Sequence, residues 1–123
     1  MSDMQGIIDI TAFANVANAQ ATATIPVVAG KNIYITGFEV TGNGATAAAP
    51  AQAQLSWINT TIGPQTLVYF ISVPAGAVLA ITPLIVEFTR PRLVVPGNVG
   101  MLQVAAFGAG NTQVNANLHG FYA

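Results

Sequence analysis

Apolar and polar residues alternate with a period of two through most of this chain. In QATATI, Gln20, Thr22 and Thr24 alternate with Ala21, Ala23 and Ile25. AQAQLSWI puts Ala51, Ala53, Leu55 and Trp57 on one side and Gln52, Gln54 and Ser56 on the other. LIVEF sets Leu84, Val86 and Phe88 against Ile85 and Glu87, while GMLQVAAF and QVNANLHGFY continue the series. Such alternation marks half-buried strands. In NIYITGFEV, Ile33 and Ile35 share a face opposite Tyr34, Thr36, Phe38 and Val40, and Gly37 sits where a bulge would exchange the buried side. About eight strands separated by Gly, Pro and Asn turns, with no amphipathic helix among them, predict an all-β protein: a β-sandwich of the jelly-roll kind.

The alternation begins near Gln20. Residues 1–18, MSDMQGIIDITAFANVAN, show no clear period and are read as an N-terminal arm, with a short helix as the alternative, ahead of a sandwich domain spanning 19–123. A free arm would expose Ile7, Ile8, Ile10 and Phe13, so these four are candidate contacts to a neighbouring subunit. GNGATAAAP, from Gly42 to Pro50, reads as a flexible connection. VVAGKNIYIT, VPAGAVLAIT and VVPGNVGMLQV each place a glycine before an alternating run, as hairpin turns with φ > 0 would. Their spacing is too uneven for a solenoid.

Composition narrows the function classes. The 123 residues suit one domain, and they are 53% hydrophobic but only 6% charged, where a soluble domain carries about 25%. Net charge is −1, with Lys31, Arg90 and Arg92 the three cations, which argues against nucleic acid or an anionic membrane as partner. There is no cysteine, hence no disulfide and no thiolate chemistry. MSDMQGII has neither the basic nor the long apolar region of a secretory leader, so none is expected. The uncharged stretch Leu67 to Val86 has the length of a membrane span, but Pro74, Gly76 and Pro83 interrupt it and favour strands.

Candidate chemistry is sparse. FGAGNT starts like a phosphate-binding loop, but the third glycine of G-x-G-x-x-G is missing and a strand follows it, not a helix. It reads as a hairpin. His119, the single histidine, falls on the polar side of the last strand, and Asp3, Asp9, Glu39 and Glu87 are scattered in sequence. No catalytic residue, metal ligand set or cofactor site is assigned, and the chain is not expected to be an enzyme. Arg90-Pro91-Arg92 is read as a solvated turn at a strand end, with contact to an acidic patch on a partner as its functional alternative.

The distributed signal is stronger. Gln20/Thr22/Thr24, Gln52/Gln54/Ser56 and Gln113/Asn115/Asn117 are polar strand faces without charge, where an exposed sheet ordinarily carries Lys and Glu. Amides and hydroxyls enter an interface at modest cost when hydrogen-bonded. TLVYFISV is apolar on both sides, with Val68 and Phe70 on the second face, as though something covers it. Candidate interface residues are therefore Gln52, Gln54, Val68, Phe70, Arg90, Arg92, Gln113, Asn115 and Asn117, together with those of the arm.

IPVVAGKNIYITGFEVTG, VPAGAVLAITPLIVEF and AFGAGNTQVNANLHGFYA together resemble small virion structural proteins of tailed bacteriophages, of the head-decoration or capsid-cement type. The resemblance spans Ile25 to Tyr122 and is most specific at GAGN and the strand ending in His119-Gly120-Phe121-Tyr122. It implies a noncatalytic sandwich, made in the host cytoplasm, that binds the outer capsid surface and reinforces it. Its partners would be the major capsid protein or other virion proteins and further copies of itself, often in a trimer. Two alternatives remain open: a tail or fibre component, and a carbohydrate-binding module stacking sugars on Trp57, Tyr34, Tyr69 or Tyr122.

Overall fold

A computed structural model of the chain describes residues 8–59, 63–76, 79–108 and 113–123. Eight strands lie among them: β1 (Ile8–Ala17), β2 (Ala21–Ile25), β3 (Ile33–Gly42), β4 (Ala49–Asn59), β5 (Gly63–Val73), β6 (Leu84–Val94), β7 (Gly100–Val104) and β8 (Gln113–Tyr122). They form two antiparallel four-stranded sheets, ordered β1-β8-β3-β6 and β2-β7-β4-β5. The protein is an all-β sandwich with the jelly-roll strand order. No helix among the described residues is long and apolar enough to cross a membrane.

The inward sides follow the period-two pattern. Ala21, Ala23 and Ile25 of β2, Ala53 and Leu55 of β4, Leu102 and Val104 of β7, and Val114, Ala116 and Leu118 of β8 are all buried in one core. β3 exchanges its buried side where Gly37 suggests. Ile33 and Ile35 face inward, the register shifts between Ile35 and Gly37, and Phe38 and Val40 face inward after it.

The sequence expectation differs from the structure in four places. Residues 8–17 are not an arm: β1 pairs along its whole length with β8, from Ile8 opposite Tyr122 to Ala17 opposite Gln113. Ile10, Ala12, Ala14 and Val16 pack on the core, and their period is masked in the sequence because two are alanines and Phe13 points outward. Ile7 and the rest of residues 1–7 lie outside the described residues.

The glycine turns are real, with φ of 75° at Gly30, 131° at Gly76 and 88° at Gly97, but they are not hairpins. They carry the chain from one sheet to the other, as does the connection from β7 to β8, whose residues 109–112 lie outside those described. Only β4 and β5, among consecutive described strands, are partners in one sheet. Alternation identifies a strand and its buried side, and it is silent about which strand lies alongside.

The connection after Gly42 is tied down rather than flexible. Gly44 N donates to the Leu79 carbonyl at 2.6 Å, Ala45 N to Pro74 at 2.9 Å, and Ile81 N to Gly42 at 2.9 Å, while Ala45 is buried. Finally, Arg90-Pro91-Arg92 lies within β6 and not in a turn. Arg92 pairs with Ile35 and Glu87 with Gly37, so the residues from Phe88 to Pro91 bow away from β3 around Thr36. Proline is tolerated there because β6 is an edge strand.

Candidate functional site

Two outer faces are available for function, and they differ in character. On the β1-β8-β3-β6 face, strand register builds rows of side chains. Thr11, His119, Gly37 and Glu87 make one row, and Phe13, Asn117, Glu39 and Ile85 make the next. Gly37 contributes no side chain, so a shallow recess of ≈ 360 Å³ opens between His119 and Glu87, lined also by Thr36, Glu39, Ile85 and Phe88.

His119 is held at both ring nitrogens. Nε2 lies 3.0 Å from Glu39 Oε1, the diagonal neighbour, and Nδ1 lies 3.2 Å from Thr11 Oγ1. A carboxylate only accepts, so Nε2 carries the proton; in the neutral ring Thr11 then donates to Nδ1. The connectivity of hydroxyl, imidazole and carboxylate is that of a nucleophile relay. Its setting is different. The three groups sit on the outer surface of a sheet in which β8 and β3 are both inner strands. The chain of contacts ties three strands together at the surface. Among the described residues no three His, Asp or Glu side chains converge as metal ligands. Sequence reasoning gives His119 no partner, since Glu39 and Thr11 are 80 and 108 residues away; only the placement of β8 between β1 and β3 reveals them.

The β2-β7-β4-β5 face is of another kind. Thr22, Gln103, Gln54 and Val68 form one row, and Thr24, Met101, Ser56 and Thr66 the next, with Gln52 opposite Phe70 beside them. None of these residues is charged. The charged side chains among the described residues lie elsewhere: Asp9, Glu39 and Glu87 on the opposite sheet, Arg90 and Arg92 on the β6 edge, and Lys31 in the connection before β3. Phe70 is 70% exposed and Val68 45%. Gln54 Nε2 donates to Gln52 Oε1 at 3.3 Å along the strand.

The candidate interface residues therefore divide. Gln52, Gln54, Val68 and Phe70 come together on the uncharged face. Gln113, Asn115, Asn117 and the 75%-exposed Phe13 lie on the other face, where Asn115 Nδ2 donates to Thr41 Oγ1 at 3.3 Å. Ile10 packs against the core, and Ile8 is placed as the first residue of β1. Arg90 and Arg92 are both exposed, and the Arg92 guanidinium stacks 4.8 Å from the Phe88 ring and 5.9 Å from the Trp57 ring at the sandwich edge. Gln103 and Met101 join the uncharged face without having been singled out in the sequence. The register of β7 against β4 is what brings them there.

The aromatic residues considered as sugar platforms are mostly engaged. Trp57 is only 8% exposed, Tyr69 meets Phe38 edge-on inside the sandwich, and Tyr122 is buried with its hydroxyl donating to the Pro26 carbonyl at 2.7 Å. Tyr34 stacks flat on Phe121 at 5.0 Å.

No protein-family model matches the chain, and no curated protein is significantly similar to it. Among solved structures it is similar to a chain in the cryo-EM structure of the giant freshwater prawn Macrobrachium rosenbergii extra small virus (XSV) VLP. The two are 12% identical with a TM-score of 0.34, over 94% of this chain and 79% of that one. At that level the likeness carries no argument about function.

Proposed function

We propose that the chain is a noncatalytic virion structural protein that works by assembly, as a decoration or cement protein on the outer surface of a capsid. The observation that carries this reading is the division of charge between the two faces. One outer face holds amides, hydroxyls, methionine and exposed Phe70 without a single charge; the other holds three carboxylates and the histidine. A protein with two such unlike sides is suited to being built into a larger body, with the uncharged side against protein, whether the shell or a further copy of the chain. The strand-and-turn resemblance to head-decoration proteins points to the same role, with the major capsid protein or another virion protein as partner. The hydroxyl–imidazole–carboxylate contacts serve to brace the sheet in this reading. The test is biochemical: particles are purified from producing cells and the chain is quantified against the shell protein. A constant ratio, lost on stripping and regained when purified chain is added back, is expected. Particles free of the chain would overturn the proposal.

A further inference from the structure

We infer that the uncharged outer face of the β2-β7-β4-β5 sheet is a self-matching surface that receives the same face of a second copy of this chain. The inference deepens the assembly reading above by naming the surface and its occupant.

Three observations select a second copy. The first is electrostatic. Any face carrying a net charge repels its own copy, and this one carries none, although acidic and basic groups occur on the opposite sheet and at the β6 edge. The second is the chemistry of its polar groups. A glutamine amide both donates and accepts, so it can pair with the same amide on a symmetry mate, which a carboxylate or an ammonium group cannot do. Gln54, Gln103 and Gln52 form such a cluster, and Gln54 already pairs with Gln52 in this way.

The third is size and composition. The two 11-residue strands and two 5-residue strands present on the order of 500 Å² in plan. Side-chain relief raises that toward the roughly 600–1,000 Å² that each partner buries in a specific interface. Phe70, Val68 and Met101 supply an aromatic, an aliphatic and a thioether beside the amides, and charge is missing, as at the centre of protein interfaces.

A surface that binds its own copy makes an isologous contact, closed by a two-fold axis. The unit is then a pair. This departs from the trimer that the resemblance to decoration proteins implies.

The test uses the full chain in size exclusion coupled to light scattering, with circular dichroism to follow the fold. The wild type should run as a dimer at micromolar concentration in both low and molar salt, since no ion pair holds the contact. Gln54→Glu, nearly the same shape, places a carboxylate in the middle of the contact on each copy. It should weaken dimerisation by about 30-fold or more at pH 7. Dimerisation should return as the carboxylates protonate near pH 4. Phe70→Lys should weaken it similarly at every acidic or neutral pH. Asn117→Asp, the same chemical exchange on the other sheet, should leave the dimer intact. A wild-type monomer at about 100 µM, or a dimer untouched by Gln54→Glu and Phe70→Lys, would overturn the inference. A dimer missing from particles would sink the virion role alone, and a monomer found on particles would sink the self-matching face alone.

Discussion

Tyr122 ties the fold to the protonation of one side chain. Its ring is buried and its hydroxyl donates to the Pro26 carbonyl, and burial lifts the phenol above its ordinary value near 10. The folded state thus favours the protonated form, so the stabilisation is complete below about pH 10 and is lost as pH rises through the raised value. Tyr122→Phe should cost about 1 kcal/mol at neutral pH through the lost hydrogen bond. It should also flatten the fall in stability above pH 10, as read by urea denaturation across pH 8–11. Gly37 acts through space. A Cβ there would land on the Val86 carbonyl oxygen and 3.2 Å from the Glu87 Cα, both main-chain atoms of the paired strand. Gly37→Ala should therefore lower stability by about 1–3 kcal/mol with an unchanged denaturant slope. His119→Gln, by contrast, removes a surface imidazole–carboxylate contact and should shift stability by less than about 1 kcal/mol in the same assay.

At the scale of elements, the strand faces were readable from the sequence wherever large apolar residues alternate with polar ones. β4 is the clear case, with Ala51, Ala53, Leu55 and Trp57 inward as expected. β1 was not readable, because alanine carries little hydrophobic signal and Phe13 stands on the wrong side for its size. Partner choice was not readable either. Glycines with φ > 0 stand where expected, yet the same backbone conformation serves a hairpin or a passage between sheets. The His119–Glu39 contact follows from partner choice, so it stayed hidden with it. A prediction separates strand from arm. Removing residues 1–18 takes away one of the two strands paired with β8 and the inward side chains of Ile10 and Val16. That variant should lose its cooperative unfolding transition in calorimetry, whereas an arm could be removed with the fold intact.

For the whole molecule, the placement of charge and the order of the strands matter most. Among the described residues the carboxylates gather on one sheet and two of the three cations at its β6 edge, a pattern that composition totals could not disclose, since seven charged residues can be spread in many ways. Composition did signal that the chain carries little charge to oppose association, and the structure leaves one outer face with none. The strand order has a consequence in time. β8, the eighth strand in the chain, inserts between β1 and β3, and its contacts with β1 join Ile8 to Tyr122. Among the described strands one sheet is therefore an incomplete array, with β1 lacking its ladder partner, until β8 arrives. Loop-closure entropy is spent before most of the pairing energy is recovered, which slows the search for the native state. Refolding followed by Trp57 fluorescence after rapid dilution from denaturant should take milliseconds to seconds, not microseconds. During synthesis the earlier strands must wait, open-edged and nearly uncharged, for the segment that closes them. Crowded translation and any delay near the codons for 113–122 are the moments of greatest exposure to misassembly.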